Sequence, residues 1–192
     1  MARPDSDRRA QAIGAEAEVA PLTAALVAGA RRQFFRVGAA LCIAGSPLPL
    51  LLPPGPAGAG WLVATFLLLG AASALALRAP AQRQPGALTA FIALDSVALA
   101  VAAYNYRTSA GDVTLALFGV LAFVAFVGSG RRAGLRVAAL QLALLAALHA
   151  LWWPGAAAEV ATHLVRLALH AINVAAGTAA GLLVARALAR HV

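Results

Sequence analysis

Six apolar stretches, each close to the length that crosses a bilayer and each bounded by short polar connections, limit this chain to very few folds. They cover about residues 34–52, 61–77, 87–104, 113–130, 135–153 and 160–188. About 20 apolar residues in a helix cross the roughly 30 Å hydrocarbon layer. Lipid offers the backbone no hydrogen-bonding partner, so a spanning segment must be helical or part of a closed barrel. At this length the stretches read as spanning helices. The expected fold is therefore all-α: a polytopic membrane protein built as a six-transmembrane-helix bundle. A formal charge of +8 would by itself suggest nucleic acid as a partner, but mean hydropathy is +0.83 and the arginines lie between the apolar runs, forming no single basic face. The expected surroundings are the lipid bilayer, with no nucleic acid.

The arginines set the orientation. All fifteen basic residues are arginine. Thirteen of them precede or open the first stretch, close or follow the sixth, or lie in or beside the second-to-third and fourth-to-fifth connections. Only Arg107 falls in an opposite connection, and Arg166 lies inside the sixth stretch. By the positive-inside rule both termini are cytoplasmic, N-in and C-in. Trp61, Tyr104, Tyr106, Trp152 and Trp153 fall at the outer boundary and Phe34 and Phe35 at the inner one, as an aromatic belt would place them. The Ala-, Leu-, Val- and Gly-rich composition suits a GC-rich bacterial genome, hence a multi-pass protein of the cell inner membrane.

Residues 1–30 mix alanine with charges of both signs and contain Pro4 and Pro21. They read as a cytoplasmic segment with a disordered start followed by a short interfacial helix. The charged region is too long, and the next apolar run too poor in cleavage signals, for a secretory leader. The six-helix domain covers 31–190, and 182–192 is the cytoplasmic exit of the last helix, whose roughly 30 residues outrun the hydrocarbon layer at about 1.5 Å each. The single cysteine, Cys42, lies in an apolar run, which excludes an intramolecular disulfide and a cysteine-based metal site.

Polar residues inside the apolar stretches are the candidate site. At about 100° per residue, His163, Arg166, His170, Asn173, Gly177, Gly181 and Val184 share an arc of roughly 80° on the sixth helix. Ionisable groups at membrane depth face protein or water, and are candidates for function. Counting 1.5 Å per residue, Arg166 lies about 9 Å and His170 about 15 Å below the outer edge, with Asn173 at about 20 Å. Asp95 of the third stretch comes to a similar level from inside, and His149 of the fifth matches Arg166. Two groupings are expected: Asp95 with His170 or Asn173, and His149 with His163 and Arg166, joined by Asp112 or Glu159. The same groups also suit a plain structural role, as a polar pair fixing helix register or an arginine reaching for the interface. Gly177-x-x-x-Gly181 permits close helix approach, either inside the bundle or across a homodimer seam.

No catalytic motif, phosphate loop or paired carboxylates occur, so no enzymatic activity is expected of these residues. His163 and His170 are two turns apart, too far to share a metal, and no cofactor is expected. An axial haem pair drawn from His149 with His163 or His170 is a weak alternative.

The arginine-led first stretch, Gly60-Trp61, the connection YNYRTSAGD, Gly128-Ser129-Gly130-Arg131-Arg132 and the closing Trp152-Trp153-Pro154 together resemble one kind of module. It is the six-helix membrane region that precedes the cytoplasmic domains of actinobacterial class III adenylyl cyclases and of related diguanylate cyclases and histidine kinases. The resemblance implies a sensory or regulatory role, an unknown small ligand, a homodimer, and coupling through Leu182–Val192 to a cytoplasmic output domain or partner protein. The other functional class that six such helices suit is a small-solute or ion transporter or channel.

Overall fold

The computed structural model describes residues 4–51, 59–106, 109–154 and 157–190. Every regular element among them is helical. Helix α1 covers Pro4–Gly45 and is followed by a 3-10 turn, Leu48–Leu51; then come α2 (Gly60–Leu77), α3 (Gln84–Asn105), α4 (Ser109–Ser129), α5 (Arg131–Leu151) and α6 (Ala157–Ala189). Five segments are long and apolar enough to cross a membrane: Pro21–Leu51, Gly60–Leu77, Gln84–Asn105, Arg131–Leu151 and Glu159–Ala189. Thr114–Ser129 of α4 is a shorter apolar stretch. Arg107, most of the Gly-rich turn before Trp61, and His191 and Val192 of the expected exit lie outside the described residues.

The first helix departs from expectation. No loop separates residues 1–30 from the first apolar stretch; α1 runs through Pro21 for 42 residues. Alanine, the strongest helix former, recurs throughout, and its summed propensity outweighs one lost N–H and one ring clash. At 1.5 Å per residue α1 is about 63 Å long and α6, with 33 residues, about 50 Å. Both exceed the hydrocarbon thickness.

Helix α4 is central, packed on α3, α5 and α6 and touching α1, while α2 rests on α1 and α3. Two apolar clusters fill the bundle. One joins Phe35, Leu69, Leu88, Phe91, Ile92, Leu121 and Val137 near the end where α3 and α5 begin. The other joins Ala103, Leu115, Phe118, Leu145, Leu148 and Val174 near the opposite end. Phe34 and Phe35 meet Phe91 edge to face, with ring centres 5.9 and 6.0 Å from it. Their edges find positive-to-negative ring contacts inside the protein.

Helices α4 and α5 are joined by one residue, Gly130, at φ +88°. Hydrogen bonds from Gly130 N to Phe126 O (3.1 Å) and from Gly134 N to Gly130 O (3.0 Å) close the corner from both sides. A left-handed backbone at a one-residue corner favours glycine. Ser129 Oγ donates to Pro85 O (2.9 Å), tying this corner to the start of α3.

Between the two apolar clusters, Gln141 Nε2 donates to Ser96 Oγ at 3.0 Å, and Gln141 Oε1 has no partner among the described residues. An unpaired buried carbonyl costs about 1–3 kcal/mol, whereas exchanging both partners for apolar groups is close to neutral. The double variant Gln141→Leu/Ser96→Ala is therefore expected to unfold at or above the parent's temperature, measured by labelling of Cys42 with a thiol-reactive dye on heating. A drop of more than about 2 kcal/mol would show that this pair holds helix register.

Candidate functional site

The polar side chains gather where α4 begins, α5 ends and α6 begins. Beyond residue 18 the sequence holds three carboxylates, Asp95, Asp112 and Glu159; two of them and three of the four histidines meet here. The arc on α6 is what brings them in. His163 and His170 are buried, as are Val174 and Gly181 further along the same face. Leu164, Val165, Leu169 and Ile172 point away from the bundle. Val184, in the same arc, is exposed.

Asp112, in the first turn of α4, is the hub. Its Oδ1 lies 3.2 Å from His170 Nε2 and its Oδ2 3.9 Å from Arg166 Nε. The guanidinium contact is long and both side chains are partly exposed, so it contributes little stability. The contact to the buried His170 is the stronger. A carboxylate in the first turn of a helix is also favoured by the helix dipole. One turn further, Asn173 Nδ2 donates to Ala116 O at 2.7 Å, so consecutive polar residues of α6 grip α4.

His149, near the end of α5, is 3% exposed. Its carbonyl oxygen is 3.0 Å and its Nδ1 3.3 Å from His163 Nε2, and the two rings meet edge to face at 4.7 Å. A carbonyl only accepts, so His163 Nε2 carries a hydrogen and His149 Nδ1 is the second acceptor. A neutral His149 then bears its hydrogen on Nε2. That nitrogen is buried with no partner among the described residues, as is Trp152 Nε1 beside it. The His149 ring lies 5.7 Å from that of Trp152 and 5.9 Å from that of His170, and Trp153 covers His163 at 5.4 Å. A cleft of about 310 Å³ opens here, lined by His149, Trp152, Pro154, Glu159, Thr162, His163 and Arg166. Its walls carry one cation, Arg166, and one carboxylate, Glu159, and the two unsatisfied N–H groups belong to side chains that line it.

Of the expected groupings, His149, His163, Arg166, Asp112 and Glu159 do share one end of the bundle. Asp95 does not join them. It lies close enough to Cys42 of α1 to act electrostatically on its thiol, while His170 and Asn173 bond to Asp112 and Ala116. The levels differ: Ser96, next to Asp95, bonds Gln141, whereas the His170 ring meets His149, about 12 Å further along α5. Ser96 and Ala100 turn the buried face of α3 to α5 and the second cluster, and Asp95, about 100° from Ser96, looks toward α1. Gly177 and Gly181 pack on α4 of the same chain: a Cβ at Gly177 would strike the Gly119 carbonyl, and one at Gly181 would meet Phe126 and Phe123. Ser129 sits at the other end of α4 from Asp112. Among the described residues no group of three or more His, Cys, Asp or Glu converges as metal ligands.

Three participants are hard to read from sequence. Trp152 and Trp153 have the look of interface markers, but they wall the histidines. Gly119, the partner of Gly177, has no motif of its own; its only signal is a glycine at mid-helix, where it costs helix stability without evident gain. Compared with known proteins, the chain matches no protein-family model, no curated protein and no solved structure.

Proposed function

We propose that this chain is a six-span protein of the cell inner membrane, both termini cytoplasmic, acting as a sensory or regulatory module. A small, acceptor-bearing ligand enters the His149–Trp152–Arg166 cleft, and α6 carries the response to a cytoplasmic signalling domain of nucleotide cyclase or kinase type, on this or another polypeptide. The observation that carries it is the position of α6. This helix supplies His163, Arg166 and His170 to the polar end, is held to α4 along its length by Asn173, Gly177 and Gly181, and extends about 50 Å. A ligand that binds one α4–α6 packing better than another shifts the population by that difference alone. The similarity of the connecting segments to the membrane regions of cyclases and kinases supports the same role. In a homodimer the contact falls on an outward face, such as that of Leu164, Val165, Leu169 and Ile172, because Gly177 and Gly181 are already engaged.

A transporter or channel is less favoured. Leu145, Leu148, Phe118 and Val174 close the space between the cleft and the Gln141–Ser96 pair.

The test is fusion of the module to a cyclase catalytic domain, with output followed in Asp112→Asn and His170→Leu. A charge-assisted hydrogen bond contributes about 1.5–3 kcal/mol, and partial exposure of Asp112 reduces this. The regulated output is expected to shift by about tenfold or less in both variants. Unchanged regulation in both would reject the site.

A further inference from the structure

A second cleft lies at the opposite end of the bundle, where α3 and α5 begin and α4 ends. It holds about 310 Å³ between α1, α3 and α4, and its walls are Leu26, Phe34, Leu88, Phe123 and Val127. From Gly128 to Phe123 it reaches about 7.5 Å along α4. Its one charged lining residue is Arg31 of α1. The Nε of Arg31 is shielded from solvent and has no partner among the described residues. Arg31 also borders a cleft of about 330 Å³ that separates Thr23 and Ala24 of α1 from Ala185, Leu188 and Ala189 of α6. Exposed around the same end are Arg32, Arg36, Arg131, Arg132 and Arg136.

We propose that this cleft is a binding site for an anionic phospholipid, with an acyl chain between α1 and α4 and the phosphodiester on Arg31. The Nε–H and one terminal N–H form an edge of the guanidinium that matches two phosphate oxygens, and a buried Nε–H without an acceptor is the half of that fork the protein leaves unfilled. A free phosphate would satisfy the fork but leave hydrocarbon walls against a hydrated ion. A diacyl lipid satisfies both. Its chain gains little over the bulk bilayer, which is as apolar as the cleft. Selectivity therefore comes from the headgroup: the Arg31 fork favours a phosphodiester whose headgroup carries no cation of its own, because a choline would bring a second positive charge up to the guanidinium. The site is independent of the sensory role, and it places a lipid between α1 and the end of α4.

The full chain is reconstituted in phosphatidylcholine bilayers with a minority of phosphatidylglycerol, released in mild detergent, and its retained lipids are counted by native mass spectrometry. Phosphatidylglycerol is expected to be enriched about fivefold over its share of the bilayer. Arg31→Lys keeps the charge and removes the fork, and Val127→Trp fills the cleft; each should bring enrichment close to one. Arg32→Gln and Arg132→Gln, at exposed positions, should leave it unchanged. Parent-like enrichment in Arg31→Lys or in Val127→Trp overturns the site, as does an equal loss in Arg32→Gln and Arg132→Gln, which marks diffuse surface charge. Displacement of the lipid by inorganic phosphate alone overturns the lipid in favour of a free anion. Dye labelling of Cys42 on heating identifies a variant that has lost its fold; the lysine substitution is conservative enough to carry the test alone.

Discussion

Gly177→Leu is expected to lower the stability of the folded bundle by at least about 3 kcal/mol, seen as Cys42 labelling at a markedly lower temperature. At this position α6 meets α4 backbone to backbone, and even a Cβ would overlap the Gly119 carbonyl. A flexible side chain could swing aside, but a carbonyl within a helix cannot. Overpacking a tight contact costs about 1–3 kcal/mol and occasionally more. Here the separation also pulls on the Asn173–Ala116 bond (2.7 Å) and the His170–Asp112 contact (3.2 Å), both on the same face of α6. Folded proteins are stable by only about 5–15 kcal/mol, so the loss is a large fraction of the whole. Gly119→Leu should behave alike. Parent-like stability in either variant would mean that the two helices do not approach this closely.

Phe126→Ala is expected to cost about 3–5 kcal/mol, the range for emptying a buried phenylalanine site, while Phe126→Leu should cost far less. Phe126 is fully buried. Its ring occupies the space that a side chain at Gly134 of α5 would need, and its Cβ lies against Gly181 of α6. One side chain thus fills the junction of α4, α5 and α6, just before the Gly130 corner. No single neighbour can relax into the void, because two of the walls are glycine backbone. Reversible unfolding in detergent should show the difference between the alanine and leucine variants; equal small losses would mean that the junction collapses around the missing ring.

The helices themselves are legible in the sequence because lipid leaves a spanning backbone no alternative, so a hydropathy pattern fixes element type as well as position. The disordered start expected within residues 1–30 gives way to helix from Pro4 for the converse reason: a proline and scattered charges suggest interruption, yet alanine propensity carries α1 through Pro21. At the site, one rule finds the face of α6 that meets α4 and α5, since 163, 170, 173, 177 and 181 recur with helical spacing. The same arithmetic cannot assign partners. Counting residues from the ends of the stretches puts Asp95 level with His170, yet the helices pack with Asp95 about 12 Å nearer the other end, facing a different helix. Asp112 reads only as an accessory, since a residue at the start of a helix looks like a cap or a loop charge until its neighbours are in place. The pairing of Gln141 with Ser96 and of Gly119 with Gly177 depends on which helices are adjacent, which periodicity within one helix does not encode.

The single-residue corner at Gly130 bears on how this bundle can move. With hydrogen bonds running into it from α4 and out of it into α5, and Ser129 moored to Pro85, there is no slack for those two helices to slide lengthwise past each other. They form one stiff bracket. A lengthwise shift of the sixth helix would run along that bracket, with its glycines as the bearing surface.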